Sequence, residues 1–218
     1  MKLLITLTLV LFTNLLLAQK TELSFTNSFE VNEEVYKDIK GTPYFFNDWK
    51  PGKIYSFLDT LVVPYQINYN GFTKAFEIKN GDRFINLDDS YYKELDLDNA
   101  QNPDYPYHFS KFGPKSLGGR WVQVIHEGPD FSIYLTFEAA INESQIQDVG
   151  KTLNVKSFTD RTQYYIYKEG KVEFLKMKKK ELRDYFGKKL VDGIIKENKL
   201  DLDEYVDQVK LFALIEQN

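Results

Sequence analysis

The sequence contains no cysteine, and only two histidines and two methionines occur among its 218 residues. Because cysteine is absent, no disulfide can tie the fold together, no thiolate can bind zinc, and no lipid can be attached to a cysteine at a processed N-terminus. The two imidazoles, His108 and His126, do not form the close pair that a transition-metal site needs. We therefore predict a fold held by its apolar core, with no metal and no cofactor.

Motifs that would fix a reaction are missing as well. Residues 113–118 come nearest to a nucleophile elbow, but one residue too many separates Gly113 from Ser116. The same stretch fails as a phosphate loop, because Gly119-Arg120 stands where a lysine and a hydroxyl residue are required. Paired carboxylates are common in any acidic chain and do not by themselves specify acid–base chemistry. We predict no catalytic residue and a protein that is not an enzyme.

A calcium loop is an alternative that the sequence leaves open. Residues 96–99 begin like such a loop, but the glycine at the sixth position is absent and Tyr107 occupies the position of the final glutamate. A weak site would have to draw its oxygens from the polar side chains of this stretch, which are Asp96, Asp98, Asn102 and Asp104.

Basic residues are too few for a polyanion-binding protein. The chain has 28 Lys and Arg against 32 Asp and Glu, a formal net charge of −4. Such a chain repels polyanions slightly, so we predict no nucleic-acid partner. Aromatic residues are abundant instead, with 15 Tyr and 17 Phe, and these residues favour β-strands.

The N-terminus has the layout of a secretory signal peptide. Lys2 supplies a positive charge, residues 3–17 form an apolar run, and Ala18 precedes the polar Gln19. The run is shorter than the roughly 20 residues of a membrane-spanning helix. We expect cleavage after Ala18 and an exported protein (periplasmic, outer-surface or secreted) without a transmembrane anchor. The net charge then becomes −5, because Lys2 is the only charged residue removed.

Turn signals recur at short spacing through the middle of the chain and predict a β-rich domain. Asn70-Gly71 and Asn80-Gly81 are typical of tight hairpins. The aromatic and β-branched runs between the turns predict strands over 53–57, 61–69, 73–78, 83–87, 121–126, 131–138, 163–167 and 172–175. Residues 96–106 are predicted as a loop. The pattern indicates an antiparallel meander that forms a curved sheet, a sandwich or a partial barrel.

The periodicity changes after Met177 and predicts helices. Leu182, Tyr185 and Phe186 have helical spacing, and Gly187 is expected to end that helix. A second short helix is predicted to end near 198, and a third to begin with a capping box at 201–204. The fold class predicted is therefore α+β, mainly antiparallel β. Its parts are a signal peptide (1–18), a β-rich domain (19–176) and C-terminal helices (177–218) packed on the sheet.

Aromatic side chains and the two histidines are the candidates for contact with a ligand. A dense set of strand aromatics fills a core more often than it forms a platform for sugars or peptides, and a histidine at a strand end is commonly structural. With those alternatives kept open, the residues predicted to face a ligand are Tyr105, Tyr107, His108, Trp121 and His126.

Several stretches resemble a family of secreted proteins of unknown function from Bacteroidota-type bacteria. They are GTPYFFNDWKPG (41–52), VPYQINYN (63–70), FEI (76–78), WVQVIHEG (121–128), YYIYKEGK (164–171) and KENKL (196–200). The resemblance implies an envelope or exported protein with a β-meander followed by helices, and it supplies no catalytic residues. The family often has arginine where this chain has Gln66. Asp59-Thr60-Leu61 looks like an O-glycosylation acceptor used in such bacteria.

Three functions are compatible with these features. The first is a non-enzymatic module of the cell envelope that binds a protein or glycan or has a structural role. The second is a carrier that holds a lipid or other small apolar ligand between a curved sheet and the helices. The third is a carbohydrate hydrolase, which would need two carboxylates about 5–9.5 Å apart across a cleft.

Overall fold

Twelve β-strands and three α-helices make up the described part of the chain. The structure is a computed structural model, and it describes residues 30–31, 36–56, 60–81, 83–88, 90–148 and 150–218. The predicted signal peptide lies outside the described residues, as does Asp59 of the proposed glycosylation triplet. In the described residues no helix is both long enough and apolar enough to cross a membrane.

Eight of the described strands fall in the regions that the turn signals delimit, and the other four were not predicted. The strands are β1 (Glu30–Val31), β2 (Ile39–Lys40), β3 (Lys50–Ser56), β4 (Thr60–Asn70), β5 (Ala75–Asn80), β6 (Arg83–Asn86), β7 (Tyr92–Leu97), β8 (Tyr107–Ser110), β9 (Val122–Glu127), β10 (Ser132–Asp148), β11 (Lys151–Lys168) and β12 (Lys171–Leu175). The helices are α1 (Lys179–Phe186), α2 (Lys188–Asn198) and α3 (Tyr205–Glu216), and a short 3-10 turn covers Lys115–Leu117.

The strands form one open, curved sheet in the order β1-β6-β5-β4-β3-β7-β8-β9-β10-β11-β12. Neighbours along this order are antiparallel, and the two-residue β2 adds a short parallel pairing to β11. Two meanders, β3 to β6 and β7 to β12, meet where β7 pairs with β3. The predicted α+β class, with a mainly antiparallel sheet followed by helices, is confirmed.

Two strands are much longer than predicted. β10 and β11 pair without interruption from Ser132 with Tyr167 to Asp148 with Lys151, so their far halves form a ribbon beyond β9 and β12, to which the short β2 pairs only at Lys156 and Ser157. Near its tip, Ile146 and Leu153 are directly opposite each other and are 45% and 47% exposed. The sequence prediction ended the first strand at 138 because the alternation of apolar and polar residues weakens beyond that residue.

One face of β10 joins two apolar cores. Ile133 and Leu135 pack with side chains of all three helices, whereas Phe137 and Ala139 pack with the curved sheet of β3 to β8. These four residues alternate along the strand and therefore share a face. Phe45 touches both cores. The two cores therefore meet near the start of β10, between Leu135 and Phe137, where Phe45 packs against both.

The helices end and begin where the sequence predicts, with one difference. Gly187 separates α1 from α2, and α2 ends at Asn198. For α3, the predicted capping box at 201–204 is wrong, because the N-cap is Glu204 and its side chain makes no cap hydrogen bond. The Asp207 carboxylate instead accepts a hydrogen bond from the backbone N–H of Asp201 at 2.9 Å.

The predicted loop at 96–106 begins two residues later than expected. Asp96 and Leu97 belong to β7, and β8 begins at Tyr107. Strand β7 carries buried apolar side chains at Tyr92, Leu95 and Leu97. Polar residues lie between these buried positions and interrupt the apolar run, so no strand was predicted here.

Candidate functional site

A cleft opens where the two cores meet, between the curved sheet and the start of α3. Its volume is about 280 Å³. Its lining comes from Phe45 and Phe46 in the segment before β3, which we call the N-terminal segment, and from four strands and the α3 region. The lining residues are Phe45, Phe46, Tyr107, Gln123, Leu135, Thr162, Tyr164, Asp203, Tyr205 and Gln208. Half of these residues are aromatic, and the others include two amides, a hydroxyl and a carboxylate. We call this set the junction cleft.

The N-terminal segment supplies two aromatic side chains of the junction cleft, and Asn68 fixes their position. The Asn68 side chain accepts a hydrogen bond from the Phe46 backbone N–H at 3.2 Å and donates one to the Phe46 carbonyl at 2.8 Å. The backbone N–H of Phe45 donates to the carbonyl of Tyr69 at 2.9 Å. Asn68 is itself 1% exposed, so its conformation is set by the surrounding sheet. The segment is thereby held in register on β4.

Stacked rings form the aromatic wall of the junction cleft. The Tyr107 and Tyr205 ring centroids are 4.6 Å apart with the planes inclined by 33°. Phe46 lies against the Tyr107 ring at 4.8 Å. The Lys50 ammonium is 5.0 Å from the Phe46 ring centre and 5.2 Å from that of Tyr107, which is cation–π geometry. Sheet, N-terminal segment and helix are thus joined by ring contacts at this point.

Most of the polar groups of α3 at the cleft already have partners in the protein. The Tyr205 hydroxyl donates to the Pro106 carbonyl at 2.7 Å. The Tyr164 hydroxyl donates to Gln208 Oε1 at 3.2 Å, and Gln208 Nε2 donates to the Leu202 carbonyl at 2.8 Å. These bonds fix the start of α3 against β8 and β11, so the cleft has defined walls.

Gln123 differs from these residues, because it is buried and one of its polar atoms has no partner in the described part of the chain. It is 2% exposed and lies on β9 between Phe109 and Leu135. Its Nε2 has no hydrogen-bond partner among the described residues. The Gln123 side chain is close enough to Tyr205 to lower that phenol's pKa, but Nε2 makes no hydrogen bond of acceptable geometry among the described residues. A buried donor left unpaired costs about 1–3 kcal/mol, so Gln123 Nε2 is a candidate donor to a bound group.

Burial dominates the ionisation of the tyrosines in the cleft. It raises the pKa of Tyr205 to about 12, against the lowering effects of the His108 backbone N–H and the Gln123 side chain. Burial also raises the pKa of Tyr107, and the nearby charge of Glu204 adds to that rise. These phenols stay neutral at physiological pH, so they act as hydrogen-bonding and stacking groups.

A second cleft lies beside the β7–β8 loop. Its volume is about 410 Å³, and it is lined by Asp48, Trp49, Lys50, Pro51, Asp98, Asn99, Ala100 and Pro103. Both aspartates are exposed to solvent. The Asn99 side chain is committed to the loop, since it accepts from the Asn102 N–H at 3.3 Å and donates to the Tyr105 carbonyl at 3.2 Å.

The open calcium alternative receives no support from this loop. Asp96, its first oxygen ligand, instead accepts hydrogen bonds on β7 from Tyr55 and His108. Among the residues that the structure describes, no group of three or more histidine or acidic side chains is placed to hold a metal ion.

The five residues predicted to face a ligand do not form one site. Tyr107 lines the junction cleft. Tyr105 lies in the adjacent loop, with the Lys210 ammonium 5.5 Å from its ring centre. Trp121 is 2% exposed in the core of the curved sheet, where its ring meets Phe76 at 5.1 Å. The two histidines lie elsewhere, each beside a carboxylate.

His108 lies on the face of the sheet opposite the core. Its Nδ1 is 2.6 Å from Asp96 Oδ1, and the Tyr55 hydroxyl donates to Asp96 Oδ2 at 2.6 Å. Burial alone would raise the pKa of Asp96, but the hydrogen bonds from His108 and Tyr55 lower it overall. Burial would lower the pKa of His108, but Asp96 raises it overall. The three side chains form a cross-strand hydrogen-bonded chain over β3, β7 and β8.

His126 joins the end of β9 to the end of α3. Its Nε2 lies 2.6 Å from Glu216 Oε2, and the two side chains are 10% and 13% exposed. The backbone N–H of Asp130 donates to the other oxygen of Glu216 at 3.0 Å. His126 is therefore an anchoring residue for the last helix and is more buried than the half-exposed strand-end histidine expected as the structural alternative.

Sequence reasoning missed most of the junction cleft. Phe45 with Phe46, Gln123 and Gln208 come from three distant segments, and none of these residues was predicted to face a ligand. A polar residue inside the apolar β9 run, at Gln123, is the one signal that was visible. No family model, no curated protein and no solved structure matches this chain.

Proposed function

We propose that the protein is an exported binding module of the cell envelope that holds a ligand in the junction cleft without transforming it. The observation that carries this proposal is the buried Nε2 of Gln123, which has no partner among the described residues although it lines the cleft. A ligand that offers an acceptor would satisfy this donor and recover its desolvation cost. Export rests on the predicted signal peptide and on the resemblance to secreted Bacteroidota-type proteins.

The cleft has the composition of a binding site. Small-ligand sites combine apolar and aromatic walls with a few fixed polar groups. Here the aromatic wall is fixed by stacking of Tyr107 on Tyr205, and Gln123 is fixed by burial. Such prior ordering reduces the entropy that a ligand must overcome on binding. A pre-formed site of this kind favours a binding module over a purely structural protein.

The chemistry of the cleft favours binding over catalysis. Asp203 is the one carboxylate among its described lining residues, and neither histidine is among them. His108 and His126 are instead held by Asp96 and Glu216. Acid–base catalysis needs at least one titratable group within hydrogen-bond reach of the reacting atom, and usually a second to return the proton. The junction cleft does not provide such a pair.

The carrier hypothesis is supported less well. The space between sheet and helices is filled by one core of packed side chains, and the curved sheet of β3 to β8 encloses the other. An acyl chain needs a long apolar cavity, whereas the junction cleft is small and carries Gln123, Asp203 and Gln208. The hydrolase hypothesis would have to use Asp48 and Asp98 in the second cleft. Both are solvent-exposed, so neither has the apolar surroundings typical of a general acid.

Two measurements test the proposal. Cell fractionation of a C-terminally tagged protein should place it outside the cytoplasm. Native mass spectrometry of the protein purified from its own envelope should detect a retained small molecule, and Gln123→Leu should lose it. Asn86→Leu is the matched control, because Asn86 Oδ1 is also buried and unpartnered but lies on β6, away from the cleft. Equal retention by Gln123→Leu and wild type, or conversion of the bound compound, would contradict the proposal.

A further inference from the structure

The unmet hydrogen-bonding need of the junction cleft is a single donor. Three described side chains have buried polar atoms without a partner: Asn86, Trp121 and Gln123. Of these, Gln123 alone lines a described cleft. The hydroxyls of Tyr164 and Tyr205 already donate to protein oxygens. The bound group nearest Gln123 must therefore be an acceptor, such as a carbonyl, ether or hydroxyl oxygen.

The charges around the cleft argue against an anionic ligand. Asp203 lies in the wall and Glu204 is next to it, while no basic side chain is among the described lining residues. The Lys50 ammonium, which is close to the aromatic wall, is already engaged with the rings of Phe46 and Tyr107. A ligand carboxylate or phosphate would meet negative charge with no cation directed at it. The acceptor oxygen thus belongs to a neutral ligand.

The shape of the aromatic wall selects among neutral rings. The Tyr107 and Tyr205 rings pack directly against each other with centroids 4.6 Å apart, so no slot remains between them for a flat base. A ligand ring can instead lie against one aromatic side while its edge meets Thr162, Asp203 and Gln123. An amphipathic ring with C–H bonds on one face and oxygens around its rim fits such surroundings. A volume of about 280 Å³ is at the small end of ligand pockets and suits one ring.

We infer that the ligand is a neutral pyranose sugar, held by its C–H face on the aromatic wall and by one acceptor oxygen on Gln123 Nε2. The inference rests on the proposed binding function and names its ligand class. In this arrangement Asp203 accepts hydrogen bonds from sugar hydroxyls at the rim of the cleft. The acceptor is a ring substituent, either a hydroxyl oxygen or the carbonyl of an acetamido group.

Ligand-observed NMR with the purified exported protein tests this assignment. The probes are glucose, galactose, mannose and N-acetylglucosamine, with glucuronate as the anionic probe and adenosine as the flat-ring probe. We expect saturation transfer to at least one neutral sugar, strongest on its C–H face. Gln123→Leu should weaken that binding at least tenfold, and Thr162→Val should weaken it less. Asn86→Leu should leave it unchanged.

Stability separates a binding role of Gln123 from a structural one. Replacing an unpaired buried amide by an apolar side chain of similar size should leave the urea midpoint of unfolding close to that of wild type. Loss of binding in a stable Gln123→Leu variant supports the inference. Gln123-dependent binding of adenosine or glucuronate, but of no neutral sugar, overturns the sugar class and leaves the binding function standing. Failure of every probe to bind overturns the sugar class, whereas the envelope-retention measurement tests the binding function separately. Sugar binding that Gln123→Leu does not affect overturns the site.

Discussion

The Glu216 carboxylate and the His126 imidazole lie 2.6 Å apart, although ninety positions separate them in the sequence. Burial by itself would raise the pKa of Glu216, but the Asp130 backbone N–H and the charge of His126 lower it overall. The carboxylate is therefore ionised at neutral pH and accepts, so His126 Nε2 must donate. This contact fastens the end of α3 to the β9–β10 turn, and the other end of α3 carries Tyr205 and Gln208 of the junction cleft.

Neutralising Glu216 should destabilise the protein. Glu216→Gln keeps the shape but removes the charge from two hydrogen bonds, so we expect a loss of about 1–2 kcal/mol in the free energy of unfolding. For a chain of this size that loss lowers Tm by about 3–6 °C. Glu197→Gln, an exposed change on α2, is the control and should have no effect. Urea unfolding at pH 7 makes the comparison, and equal midpoints for both variants would contradict the anchoring role.

The contribution of Glu216 should depend on pH with a definite sign. Its folded pKa lies below the ordinary value of 4.5. A group with a lowered folded pKa stabilises the protein above its unfolded pKa and loses that effect as pH falls through the folded value. The stability difference between wild type and Glu216→Gln should therefore be present at pH 7 and shrink as the pH falls below about 4.5. A difference that grows on acidification would show that the carboxylate is not stabilised by folding.

Gly128 is required by the same contact. A Cβ built on this residue would overlap the Glu216 carboxylate. Gly128→Ala should displace Glu216 from His126 and cost about 1–3 kcal/mol, and the cost should largely disappear in Glu216→Ala. Gly193→Ala is the control, and its effect on stability should have the opposite sign. The added Cβ would contact nothing within 4 Å, and alanine has a higher helix propensity than glycine in α2. This substitution should stabilise by about 0.5–1 kcal/mol. Additive losses for Gly128→Ala and Glu216→Ala would refute the overlap.

Most of the fold could be predicted from the sequence, because the residues that form turns and end helices act locally. Asn70-Gly71 and Gly187 lie where the chain reverses or a helix ends, as predicted. Strand β7 was missed because Lys93, Glu94 and Asp96 lie between its buried residues. The ribbon beyond residue 138 was missed because its pairing, Ile141 with Phe158 and onwards, depends on the register set by the preceding pairs. Register is a property of two strands and cannot be read from one.

The candidate site was readable only in part. Tyr107 was predicted to face a ligand and lies in the junction cleft. Phe46 could not be predicted, because its position depends on hydrogen bonds to Asn68, 22 residues later. Gln123 is significant only because β10 and Tyr205 surround it, and Tyr205 comes from the last helix. A site built at the junction of two cores has no local signature.

The His108–Asp96 pair should make a stabilising contribution confined to a pH window. The folded pKa of His108 is raised, so its contribution is complete below about 6.5 and is lost as pH rises through the folded value. The folded pKa of Asp96 is lowered, so its contribution is lost as pH falls below about 3.8. Stabilisation by the pair is therefore greatest between these values. Because both side chains are partly exposed, we expect about 0.5–1 kcal/mol.

NMR titration of the histidine ring protons measures this directly, since the chain has only two histidines. His108 should titrate above 6.5 in wild type. Asp96→Asn should lower the pKa of His108, because the Asp96 carboxylate then no longer offsets the lowering effect of burial. Lys93→Gln, a half-buried change on the same strand, is the control. In unfolding experiments, His108→Gln should cost more at pH 5.5 than at pH 8.5. A cost that is equal at the two pH values would mean that the contact does not depend on the charge of the imidazole.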